Sequence, residues 1–129
     1  MIGIWKLGLC SIAVATLALT GSPARAQDAK RGEDVFKKKG CGACHNISKS
    51  ADDPHRRPGG KMSGPDLAGV TERRDHDWLR RWLKDPEGML RTDPTAIAMM
   101  VEAKNLKMPN MKLSDAEIEA LISYLAVKQ

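Results

Sequence analysis

Aromatic side chains and cysteines are scarce in this 129-residue chain, and long apolar runs are nearly absent. The one extended apolar stretch runs from about Leu7 to Leu19, short for a helix that must cross a bilayer. Beyond it the aromatics are Phe36, Trp78, Trp82 and Tyr124. That is too few for a base-stacking surface, and the positive charge is scattered, so nucleic-acid binding finds no support. Of the three cysteines, Cys10 lies inside the apolar stretch behind Leu9. Lipoprotein acylation would need a small residue there, and ligation is not expected of it. Cys41 and Cys44 remain, with no further thiol for a second disulfide. An alternating strand pattern, an internal repeat, a phosphate-binding loop and a nucleophile–base pair are all missing. Nothing here points to an enzyme in its own right.

What is present begins with MIGIWKLGLCSIAVATLALTGSPARAQDAK. Lys6 precedes the apolar stretch, small residues follow it, and Ala24-Arg25-Ala26 closes the segment. This is the layout of a secretory signal peptide cleaved before Gln27. It predicts export to a bacterial periplasm, with no membrane span after cleavage. Residues 1–26 are expected to be removed and residues 27–129 to form one domain. Losing Lys6 and Arg25 lowers the formal charge from +5 to +3, only mildly basic. A domain this small is marginal without a staple or a cofactor, so something besides side chains is expected to supply core.

Helical spacing dominates the rest, and an all-α fold of about four helices follows. Asp28 to about Lys39 is polar with Val35 and Phe36 on one side. Residues 46–71, rich in Pro, Gly, Ser and charge, read as an irregular loop. DHDWLRRWLKDP sets Trp78, Leu79, Trp82 and Leu83 at helical intervals and stops before Pro86. DPTAIAMMVEAKN opens with Asp93 as N-cap and Pro94 at the first helical position, and ends near Asn105. Ser114-Asp115-Ala116-Glu117 is a capping-box pattern, followed by the apolar stripe Ile118, Leu121, Ile122 and Leu125.

The stretch that carries chemistry is KKKGCGACHNIS, residues 37–48. A redox dithiol at Cys41-Gly42-Ala43-Cys44 wants a βαβ setting, and no strands are predicted. A structural zinc site needs about four ligands; the second pair would be His55 and His76, which are not at finger spacing. Haem attachment needs only what is there. Two thiols so spaced can form thioethers with the two vinyl groups of one porphyrin, and His45 then lies under the ring to bind iron. One covalent haem c per chain also supplies the missing core.

With these motifs the chain resembles the class I c-type cytochromes over nearly all of residues 27–129. RGEDVFKKKGCGACH is similar to the family's N-terminal helix and haem motif, with Gly32 and Phe36 at its glycine and aromatic positions. GPDLAGVTER resembles the Gly-Pro-Asn-Leu segment with an arginine nine positions on. The resemblance implies that the Pro65 carbonyl accepts from the ring N–H of His45 and that Arg73 reaches a haem propionate. Asp66 departs from the usual asparagine. ALISYLAVK resembles the terminal helix, which implies that Leu121 and Tyr124 pack beside Gly32. KNLKMPNMKLSDAEI resembles the Met-Pro segment, which makes Met108 the sixth iron ligand and leaves Met111, His55 and His76 as alternatives. Met89, Met99 and Met100 read as core filler. In this setting one indole N–H is expected on a propionate, and Trp78 is the choice. Lys37, Lys38 and Lys39 read either as a solvated face or as charges that steer an acidic redox partner. The implied function is a periplasmic one-electron carrier, a monomer or a subunit of a complex. A cytochrome subunit of a periplasmic oxidoreductase and a ligand-binding haem protein are the alternatives.

Overall fold

Six helices make up the regular structure of the computed structural model, which describes residues 23–47 and 64–128. They are α1 (Pro23–Lys38), α2 (Val70–Arg73), α3 (His76–Lys84), α4 (Pro86–Thr92), α5 (Pro94–Glu102) and α6 (Asp115–Ala126), with a 3₁₀ turn at Cys41–Ala43. No strand occurs among the described residues. Most of the expected signal peptide, with Cys10, lies outside the described residues, as does His55. No helix among the described residues is long and apolar enough to cross a membrane.

The frame is the crossing of α1 and α6, the most extensive helix pair. On α1, Ala29, Gly32 and Phe36 recur at helical spacing and are buried. On α6 the buried face includes Ile118, Leu121, Tyr124 and Leu125. Gly32 sets the crossing: a Cβ there would collide with the Ala120 carbonyl oxygen and sit 2.6 Å from Tyr124 Cβ. The Phe36 and Tyr124 rings meet at 5.8 Å and 57°, a tilted aromatic pair. The capping box of α6 forms as expected. Ser114 accepts from the Glu117 backbone N–H, and the Glu117 carboxylate accepts from the Ser114 N–H at 2.8 Å.

Four boundaries differ from the sequence expectation. Helix α1 starts at Pro23, ahead of Asp28, because Pro at a first position followed by Ala, Arg and Gln favours helix. The residues before the expected cleavage point are therefore helical. Pro86 ends α3 as expected but also begins α4, with Asp85 Oδ1 accepting from the Gly88 N–H at 2.9 Å. The single turn α2 lies at the end of what reads as loop. Helix α5 stops at Glu102, because Lys104 and Asn105 both take left-handed backbone, φ 54 and 64. Met89 is buried in the core and Met99 packs on its edge.

Candidate cofactor-attachment site

The attachment motif sits where α1 runs out. Gly40 takes φ 69, a left-handed conformation that glycine adopts without steric cost, and turns the chain into Cys41–Ala43. Cys44 N–H donates to Cys41 O at 3.2 Å and His45 N–H to the same oxygen at 3.1 Å. The 3₁₀ turn spans Cys41–Ala43 and Cys44 closes it as the C-cap, so one turn of backbone carries both thiols. Cys41 is half-buried against the core, Cys44 is exposed, and both are free thiols. Burial pushes the Cys41 thiol up from its ordinary range.

The segment after Gly64 is stitched to the residues after Cys44. Gly64 N–H donates to Cys44 O at 3.0 Å and Leu67 N–H to Asn46 O at 2.8 Å. Between these bonds, Nδ1 of His45 lies 2.8 Å from the Pro65 carbonyl. That contact orients the imidazole and fixes Nδ1 as the protonated nitrogen, leaving Nε2 with a lone pair for a metal. Gly64, which sequence reasoning passed over, makes room for the ring. A Cβ on it would sit 2.7 Å from His45 Nδ1 and 2.9 Å from Nε2. Its place beside Pro65 in the quoted motif was the available signal.

Asp66 and Arg73 brace this loop. Asp66 Oδ1 accepts from the Ala68 N–H at 2.8 Å, an Asx turn that asparagine would make equally well. The departure from the usual residue is thereby accommodated. Arg73 donates to the carbonyls of Ala68 and Asp66, the latter at 2.9 Å. A guanidinium has five N–H donors, so others remain.

Met108 and Met111 are half-buried and pack against the core cluster that includes Phe36, Trp78 and Leu121. Trp78 is buried, and its indole bond runs to the start of α5. Its single indole donor goes to Asp93 Oδ1 at 3.2 Å, and the same oxygen caps α5 by accepting from the Ala96 N–H at 3.0 Å. Trp78 stacks on Trp82 at 5.6 Å and 12° and lies under the Arg74 guanidinium at 5.4 Å. His76 stands on the exposed face of α3 with Nε2 2.9 Å from Glu119. No three His, Cys, Asp or Glu side chains converge as a metal site among the described residues.

Two thiols on one turn and an adjacent imidazole with one nitrogen fixed form a donor set that fits a covalently held iron porphyrin. The sequence profile of the cytochrome c family matches residues 29–127. The fold is similar to a cytochrome c from Rhodothermus marinus, with TM-score 0.65 and 28% identity over 88% of this chain and 86% of that one. It is also similar to an engineered cytochrome c from the same organism bound to a carbene intermediate, with TM-score 0.61 and 27% identity over 88% of this chain and 87% of that one. Cytochrome c oxidase subunit 2 of Bacillus subtilis is 31% identical over 112 residues, or 81% of this chain, and the chain spans only 27% of that relative's length. The chain therefore belongs to the cytochrome c family of haem-containing electron carriers, and its cofactor is covalently attached haem c, for which Cys41 and Cys44 stand at the attachment spacing.

Proposed function

We propose that this chain is an exported periplasmic one-electron carrier in which Cys41 and Cys44 hold a single haem c and His45 and Met108 are its axial ligands. The observation that carries the reading is the His45–Pro65 contact on the turn that bears both thiols. It presents one pre-oriented imidazole nitrogen beside two thioether-forming sulfurs. Bound haem supplies a one-electron iron couple. The chain's own part is to hold both ligands through oxidation and reduction, so that little rearranges when an electron moves. Pro65 holds the imidazole, and the loop braced by Arg73 holds Pro65. The remaining donors of Arg73 face a propionate in this reading. Met108 is preferred to Met111 because it precedes Pro109 and stands six residues ahead of Ser114, the spacing of the Met-Pro segment. A thioether raises the potential relative to two imidazoles and fills the sixth position.

Export is supported by Lys6, the apolar stretch and Ala24-Arg25-Ala26. Partners with an acidic docking face suit the exposed Lys104, Lys107 and Lys112 around the methionine segment. A second reading, a cytochrome subunit of an oxidase, has one observation in its favour besides the Bacillus subtilis relative. Ile97, Val101 and Leu106 are large apolar side chains left exposed on α5 and its exit, just ahead of Met108.

The test is a redox titration of the purified holoprotein, followed by exposure of the ferrous form to carbon monoxide. A carrier gives one reversible one-electron wave and takes up carbon monoxide poorly at neutral pH. Ready uptake would replace the carrier reading with that of a ligand-binding haem protein.

A further inference from the structure

The three lysines ahead of the attachment motif have different settings. Lys37 Nζ lies 2.6 Å from Glu33 one turn back on α1, and Lys38 is exposed. Lys39 is the half-buried one, its side chain 22% accessible. It reaches across the fold to the segment before α6. Its Nζ is 3.3 Å from the Met111 carbonyl oxygen, 3.5 Å from that of Lys112 and 3.8 Å from the Glu117 carboxylate. An ammonium carries three donors on one compact charge, and here that charge faces two backbone carbonyls and an acid.

Those carbonyls belong to a strained turn. Lys112 has φ 52, in the left-handed region that side chains disfavour. Such a conformer persists only where its surroundings hold it. Asn110 Oδ1 accepts from the Lys112 N–H at 2.9 Å, and Lys39 faces the Lys112 carbonyl. The turn is therefore held at its donor by a neighbour in sequence and at its acceptor by a side chain 73 residues away. It connects Met108 to the capped start of α6 at Ser114.

We propose that Lys39 is a positioning residue for the methionine segment. Its ammonium ties the Met111 and Lys112 carbonyls to the end of α1, two residues before Cys41, and so keeps Met108 seated. One side chain thereby links the attachment turn to the opposite, methionine-bearing wall. This role rests on Met108 being the sixth ligand, and opening of the segment requires the Lys39 contacts to break first.

The experiment uses the holoprotein with Lys39→Gln, Lys39→Arg and Glu117→Gln. In the diamagnetic ferrous form, hydrogen exchange of the Lys112 and Leu113 amides reads opening of the turn. In the ferric form, the limiting rate of imidazole binding reads departure of the methionine. Lys39→Gln should raise both by about tenfold, as expected for a lost charge-assisted hydrogen bond. Lys39→Arg should restore both, and Glu117→Gln, which can still complete the capping box, should change them little. If Lys39→Gln does not accumulate as holoprotein, Lys39→Met, which retains an apolar stem, takes its place. Unchanged amide exchange in the charge-removing variant overturns the proposal whatever ligates the iron. So does a Glu117→Gln variant that reproduces the whole effect, because the ion pair alone would then be responsible. Faster amide exchange with an unchanged imidazole rate keeps the clamp on the turn but overturns its role in seating Met108. A wild type lacking methionine ligation defeats the ligand reading separately, and amide exchange still decides the clamp.

Discussion

Gly64 has no side chain because His45 occupies the space one would need. A methyl group there would sit under 3 Å from both ring nitrogens, so Gly64→Ala must move the imidazole or the loop that carries Pro65. Overpacking of this kind costs about 1–3 kcal/mol. The holoprotein should melt earlier, and the ferric low-spin resonance should shift as the ring rotates. An unchanged resonance with unchanged stability would show that the ring is not confined by this glycine. The contact between His45 and Pro65 was legible in the sequence because both residues sit in short motifs with fixed neighbours. The partner of Trp78 was not. The indole bond to Asp93 depends on how α3 packs against the start of α5, which no local pattern encodes. The reach of Lys39 is similar: a triple-lysine run reads as solvated until the fold brings Met111 beside it.

Helix starts were the most legible elements, and they carry the pH dependence. Asp93-Pro94 and Ser114-Asp115-Ala116-Glu117 read as caps from sequence alone, whereas Asp85-Pro86 reads only as a stop. The same Asp-Pro signal opens both α4 and α5, because a proline that terminates one helix can also stand first in the next. Three carboxylates at helix starts lie below their ordinary range. The Ala96 backbone N–H lowers Asp93 most, with the Trp78 indole helping, and Lys84 lowers Asp115. The Ser114 backbone N–H, followed by its hydroxyl, lowers Glu117. A depressed carboxylate contributes stability that is present above its unfolded value and lost as pH falls through its folded one. With ordinary values of 3.8 for Asp and 4.5 for Glu, the loss should begin near those values and continue below them. Unfolding free energy measured from neutral to acid pH should show this limb. Asp93→Asn keeps a capping oxygen but cannot titrate, so it should flatten the limb. An acid slope identical to wild type would remove Asp93 from the account.

At the scale of the whole molecule, the sequence implied a chain too small to hold itself together and a cofactor to complete it. The described core is the α1–α6 crossing with α3 and the methionine segment packed beside it, and Cys41, Met108 and Met111 lie on its edge. Without haem these edge residues lose what they would pack against. The apo chain should then be compact but without fixed tertiary packing. A haem-free thermal transition as sharp as that of the holoprotein would show that the helices form a core unaided. Methionine ligation separates a carrier from a ligand-binding protein, and one spectrum reads it directly. Ferric wild type should show the weak near-infrared charge-transfer band of a sulfur–iron bond; Met108→Ala should abolish it, and Met111→Ala should leave it nearly unchanged. Absence of the band in wild type would contradict the account.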